Sequence, residues 1–188
     1  MKIAFLLLVG ILAVSACTQS TGYATNTQNS PLPKNVQQQE GAVEGMVGNE
    51  IGQTPPDFTV TAIDGRTIKL NEYARDKPTI VYFMATWCPF CARDFATLEQ
   101  VFPEYKDKIN FLNIGLDLTE NEEILRNYKS RKYIPGELAP GAQKILIDYQ
   151  VRSTTTKYLI KDGEIIFKNS GAMSADQWRR LLNALLSA

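Results

Sequence analysis

Two cysteines three residues apart, in Trp87-Cys88-Pro89-Phe90-Cys91, follow directly on the apolar run Thr79-Ile80-Val81-Tyr82-Phe83-Met84-Ala85. This junction restricts the fold more than any other stretch of the chain. A continuous, β-branched-rich run suits a central strand covered on both faces. Pro89 suits the first position of a helix, where its missing N–H costs nothing. The cysteines are thus expected at the carboxyl end of a central strand, where a helix begins. There the backbone N–H groups and the positive end of the helix dipole stabilise a thiolate. Cys88 is therefore the expected nucleophile. Cys91, one turn in and shielded, is placed to attack a mixed disulfide and release the partner, so that the pair cycles between dithiol and disulfide.

Two other uses of such a pair compete with this one. Half of a zinc site needs further soft or imidazole ligands, and the chain has no histidine and one other cysteine, Cys17. Inert core cysteines remain an alternative, although a strand-to-helix junction with a proline between the sulfurs is unusual for them. The lack of histidine also removes imidazole bases, Ser-His-Asp chemistry and most copper and haem sites. Lys plus Arg and Asp plus Glu both number 20, so no basic excess is available to hold nucleic acid. Chemistry must rest on sulfur, carboxylates or backbone, with no cofactor expected and with proteins or small molecules as partners. At 188 residues and 44% hydrophobic content the chain has material for one ordinary domain plus appendages.

The amino terminus reads as an address. Met1-Lys2 is a positive start, and Ile3 to Val14 is an apolar run well short of the roughly 20 residues that a membrane span needs. Residues 1–16 are expected to be a signal peptide. Val14-Ser15-Ala16-Cys17 resembles a bacterial lipobox, which implies cleavage before Cys17, a lipid on its sulfur and anchoring in the bilayer. Ordinary signal-peptide cleavage with Cys17 incidental is the alternative. Either way the protein is expected in a compartment where disulfides persist. Residues 17–45 are read as the lipidated cysteine and a flexible tether of Thr, Ser, Asn, Gln, Pro and Gly, too polar to bury enough surface to fold. About 28 such residues reach roughly 30 Å.

Residues 46–188 are read as the folded domain. Asp57 to Ile63 and Arg66 to Leu70 alternate as strands around Asp64-Gly65, a hairpin signal. Asn71 to Arg75 is at most a helical turn. Pro89 to about Tyr105 places Phe95, Leu98, Val101, Phe102 and Tyr105 at helical spacing. Asn110 to Leu116 is another apolar strand. Thr119-Glu120-Asn121-Glu122 reads as a capping box opening a helix with Ile124, Leu125 and Tyr128 on one side. Arg131 to Ala139 reads as a loop around Pro135-Gly136, and Pro140 as the start of a short helix through Tyr149. Thr156 to Lys161 and Glu164 to Lys168 flank Asp162-Gly163, a second hairpin signal. Ser174 with Gln177 caps a last helix whose stripe is Trp178, Leu181, Leu182, Leu185 and Leu186. This order predicts an α/β fold with a central mixed sheet flanked by helices and an N-terminal hairpin extension.

The stretches Ala85-Thr86-Trp87-Cys88-Pro89-Phe90-Cys91, Tyr149-Gln150-Val151-Arg152-Ser153-Thr154-Thr155-Thr156 and Lys161-Asp162-Gly163-Glu164, with Gly171, resemble the thioredoxin fold. With the lipobox and the leading hairpin the chain is most similar to membrane-anchored thioredoxin-like proteins of the TlpA/ResA type, over about Ile51 to Ala188. The resemblance implies a disulfide oxidoreductase in the bacterial cell envelope, commonly a reductant. Its partners would be exported proteins with cysteine pairs and a membrane thiol that donates or accepts electrons. Cys88 and Cys91 would be catalytic, with Trp87, Pro89, Phe90 and Thr155 supporting them.

Three positions depart from that pattern. Tyr82 stands where thioredoxin has a buried aspartate that assists proton transfer. Ala96 stands where much of the family has a kinking proline, which predicts a straighter helix. Thr155 stands at the cis-proline position. A cis bond before threonine costs roughly 2.5–4 kcal/mol, which predicts a trans 154–155 peptide and a hydroxyl near Cys88. Peroxide-reducing relatives place a proline and a threonine seven and three residues before the reactive cysteine, where this chain has Val81 and Ala85. That reading and a non-catalytic metal or iron–sulfur binder are the alternatives.

Overall fold

A computed structural model of the chain describes residues 45–187. The expected signal peptide, Cys17 and the expected tether up to residue 44 lie outside the described residues. In chain order the elements are β1 (Thr59–Thr61), β2 (Thr67–Lys69), α1 (Leu70–Tyr73), β3 (Thr79–Met84), α2 (Pro89–Val101), a 3-10 turn (Phe102–Glu104), β4 (Asn110–Gly115), α3 (Glu122–Lys129), β5 (Glu137–Ala139), α4 (Gln143–Asp148), β6 (Lys157–Lys161), β7 (Glu164–Asn169) and α5 (Ala175–Ser187). Five strands form the main sheet in the order β5-β4-β3-β6-β7. β3 pairs in parallel with β4, and β4 with β5, while β6 runs antiparallel to both β3 and β7. The result is a mixed sheet with β3 at its centre and the separate β1–β2 ribbon beside it.

Every residue of β3 is buried, as its uninterrupted apolar run requires. Alternate side chains serve two cores. Ile80, Tyr82 and Met84 join Phe95, Leu98, Phe111, Leu125 and Trp178 under α2, α3 and α5. Val81 and Phe83 join Phe58, Val60, Ile68, Tyr149 and Tyr158 under the ribbon, α1 and α4. The ribbon therefore closes the second face of the sheet.

Local differences from the sequence reading have local causes. Three residues of Arg131 to Ala139 form β5, because Gly136, at φ +61, lets the chain approach β4 so closely that a Cβ would lie 2.0 Å from the Phe111 carbonyl oxygen. A three-residue edge strand is too short to show a period in sequence. α3 starts later than the capping box suggested: Asn121 is the N-cap, its side chain accepting from Ile124 N at 3.0 Å. The second helix gives way to a 3-10 turn at Phe102, with Pro103 inside that turn, rather than running on as α-helix to Tyr105. The first turn spans five residues, closed by Ala62 N donating to Arg66 O at 2.8 Å. In the β6–β7 turn Asp162 and Gly163 both take positive φ, as the Asp-Gly pair predicts. Ser174 and Gln177 cap α5 reciprocally, at 2.7 and 3.3 Å.

Candidate active site

The strand-to-helix junction lies where the sequence places it. Cys88 is the N-cap of α2, with Pro89 at the first turn, and its Sγ accepts from Cys91 N at 3.1 Å. Both cysteines are free thiols. Cys88 is 1% exposed and Cys91 is fully buried. Their neighbours Trp87 and Phe90 are 62% and 48% exposed, so the surface at the junction is aromatic while the sulfurs sit beneath it. Trp87 Nε1 donates to Asp117 Oδ2 at 2.9 Å, and Arg93 lies 4.5 Å over the Phe90 ring. Thr119 and Trp87 together hold the Asp117 carboxyl below its ordinary range. That favours its charged form and fixes the indole.

The 152–156 loop closes the other side of the sulfurs. Phe83 N donates to Thr156 O at 2.8 Å, continuing the β3–β6 ladder, and Thr156 Oγ1 donates to Ser153 O at 2.7 Å. The described residues contain no cis peptide bond, so the Thr154–Thr155 peptide is trans. A hydroxyl does reach Cys88, and it belongs to Thr154: its Oγ1 lies 3.0 Å from Cys88 Sγ. Thr155 is buried, and its own hydroxyl has no hydrogen-bond partner among the described residues.

Beneath Cys91 lies a buried polar cluster that the sequence reading missed. Asp94 is one helical turn from Cys91 and fully buried. Its Oδ1 accepts from Met173 N at 2.7 Å and Trp178 Nε1 at 3.2 Å, and its Oδ2 accepts from the Tyr82 hydroxyl at 2.9 Å. Lys157 Nζ stands 3.3 Å from Oδ2, donates to Gly171 O at 2.6 Å and lies over the rings of Tyr82 and Trp178. Cross-strand register puts Lys157 directly opposite Tyr82. The Tyr82 phenol and the Cys91 thiol are near enough to shift each other's titration.

Burial dominates the electrostatics here. It pushes the Cys91 thiol far above its ordinary value of 9.0, and the neighbouring Cys88 adds to the rise. It pushes the Tyr82 phenol up too, helped by Asp94, and draws the Lys157 ammonium down against the opposing pull of Asp94. An i, i+3 spacing from Cys91 to Asp94 and a lysine in the apolar register of β6 were the available sequence signals.

Among the described residues no group of three or more His, Cys, Asp or Glu side chains is placed to hold a metal ion. The site offers a dithiol at a helix start, an amide donor and a neighbouring hydroxyl on the outer sulfur, and a buried carboxylate bonded to a phenol close to the inner sulfur.

Comparison with known proteins agrees with that chemistry. The model of the AhpC/TSA family matches residues 51–168. The thiol-disulfide oxidoreductase ResA of Bacillus cereus is 30% identical over 130 residues, covering 68% of this chain and 74% of the relative. Among solved structures, the pneumococcal exposed lipoprotein thioredoxin of Streptococcus pneumoniae is 26% identical at a TM-score of 0.58, covering 69% of this chain and all of that one. A thiol:disulfide interchange protein of Chlorobium tepidum superposes with a TM-score of 0.64 at 20% identity, covering 71% and 96% of the two chains, and supports the fold.

Proposed function

The chain belongs to the AhpC/TSA family and is a thiol-disulfide oxidoreductase, and on that premise we propose that it is an exported, lipid-anchored reductant of cysteine pairs in envelope proteins. The observation that carries the chemistry is Cys88 at the start of α2, its sulfur held by the Cys91 amide and the Thr154 hydroxyl, with Cys91 buried behind it. The Cys88 thiolate attacks a substrate disulfide, forming a mixed disulfide and expelling the first substrate thiolate. Cys91 then gives up its proton and attacks Cys88 Sγ. The second substrate thiolate leaves, the Cys88–Cys91 disulfide forms, and two electrons have passed to the substrate. Tyr82 and Asp94 offer the Cys91 proton a buried path. A membrane thiol donor would restore the dithiol.

The reducing direction is favoured by the donors at Cys88. An amide and a hydroxyl stabilise a thiolate less than a cation does, and strong oxidants are those whose reduced form is stabilised.

Cys91→Ala is expected to trap substrate proteins as mixed disulfides through Cys88, whereas Cys88→Ala traps none. Equal trapping by both variants, seen on non-reducing gels of cell extracts, would reverse or remove the assignment.

Export and anchoring rest on the apolar run after Met1-Lys2 and on the lipobox-like segment ending at Cys17. A relative of similar structure is named as an exposed lipoprotein. Among the described residues no helix is long and apolar enough to cross a membrane. Cys17→Ser is expected to move the protein from the membrane fraction to the soluble fraction without changing its rate of disulfide exchange in solution. Retention of the variant in membranes would show that the anchor lies elsewhere.

A further inference from the structure

Beside the cysteine junction a cleft of about 440 Å³ is lined by Thr86, Ile124, Tyr128, Arg131 and Lys132. Thr86 is two residues from Cys88. Tyr128 is close enough to both thiols for their charges to act on its phenol. Ile124 and Tyr128 are one turn apart on α3, and Arg131 and Lys132 follow its C-cap, Ser130. The sequence reading put Ile124 with Leu125 and Tyr128 on one side of the helix; Leu125 and Tyr128 are buried, but Ile124 is 42% exposed at the cleft.

The charges at the cleft do not balance. Arg131 Nε donates to Asn127 O at 3.1 Å, bracing the guanidinium at the helix end. Neither Arg131 nor Lys132 forms an ion pair among the described residues. The carboxylates around them are engaged or buried, Glu120 being 5% exposed with its Oε2 unpartnered among the described residues. Glu120 Oε1 accepts from Thr86 N and the Thr86 hydroxyl, Asp117 from Trp87 and Thr119, and Glu122 lies 3.8 Å from Arg126. Glu123 does not line the cleft. Across the junction, the Arg93 guanidinium over Phe90 adds a further cation.

We infer that this cleft receives an acidic segment of the substrate protein next to its reactive cysteine, a carboxylate meeting Arg131 and Lys132 while apolar stems cover Ile124 and Tyr128. The inference rests on disulfide exchange through Cys88. A substrate disulfide aligned with Cys88 passes Thr86, so residues a few positions from the substrate cysteine reach the cleft at about 3.3 Å per residue. Two unpaired cations there accelerate encounter with an acidic partner and disfavour a basic one.

Three peptide disulfides of equal length test it, identical except that the cysteine is flanked by Glu, Gln or Lys. Reduction by the purified full chain is measured as kcat/KM, each value divided by the rate of the same peptide with dithiothreitol to remove intrinsic reactivity. The expected order is Glu, Gln, Lys, with about a tenfold span at low salt that contracts toward unity in 1 M salt. Arg131→Glu with Lys132→Glu is expected to invert the order. Equal normalised rates for the three peptides, or an unchanged order in the charge-reversed variant, would overturn the cleft assignment while leaving exchange intact. Failure of the wild type to reduce the Gln peptide at all would overturn exchange at Cys88, and the cleft assignment with it.

Discussion

Asp94→Leu is expected to lower the free energy of unfolding by about 3–5 kcal/mol, the cost of removing one partner of a buried ion pair. The magnitude follows from what the substitution strands. Lys157 is fully buried, and its ammonium would keep only the Gly171 carbonyl oxygen and two ring faces. The Tyr82 hydroxyl, Trp178 Nε1 and Met173 N would also lose their acceptor. Adding Lys157→Met removes the isolated charge and is expected to recover part of the loss, because a buried pair replaced by apolar groups of similar volume is often close to neutral. Recovery stays partial because three neutral donors remain without their acceptor. Urea unfolding of the wild type and the two variants, with slope compared as well as midpoint, measures this. A double variant no more stable than Asp94→Leu alone would show that the pair is not the source of the loss.

Removing the Thr154 hydroxyl is expected to have the largest effect on redox behaviour. Its oxygen lies 3.0 Å from Cys88 Sγ, and in the thiolate form it donates to sulfur beside the Cys91 amide. A hydrogen bond to a charged group contributes about 1.5–3 kcal/mol. Thr154→Val deletes it at nearly constant volume, and the reduced state loses that stabilisation. The Cys88–Cys91 couple is then expected to become more reducing by about 30–60 mV, at roughly 30 mV per 1.4 kcal/mol for two electrons. Attack of Cys88 on a disulfide at neutral pH is expected to slow severalfold. Thr154→Ser should restore both properties. Thr155→Val is the control: its hydroxyl has no partner among the described residues, so its loss is expected to leave the potential in place and stability unchanged or improved. Potentials measured against glutathione decide it. If Thr155→Val shifted the couple and Thr154→Val did not, the tuning hydroxyl would have been assigned to the wrong residue.

The sequence by itself determined the architecture, because the covered strand at 79–84, the helix opening at Pro89, both hairpin signals and the Ser174–Gln177 cap are each local statements about periodicity or turn chemistry. The Cys88/Cys91 pair was legible for the same reason: its spacing and its place between strand and helix are written in consecutive residues. Periods and caps do not report which side chains meet across the fold. Tyr82 stood out only as a departure from the thioredoxin pattern, while Asp94 and Lys157, far apart in sequence, each read as an ordinary helix or strand residue. Only the β3–β6 register and the packing of α2 and α5 on that face close them into one buried cluster under Cys91. The same holds for Thr154, whose hydroxyl reaches Cys88 because the 152–156 loop is tied to the end of β3. It holds for Ile124, left exposed at the cleft although it lies next to buried Leu125. Burial and long-range pairing are properties of the whole chain's packing, and they place the charges and hydroxyls around a sulfur whose position a few local residues already set.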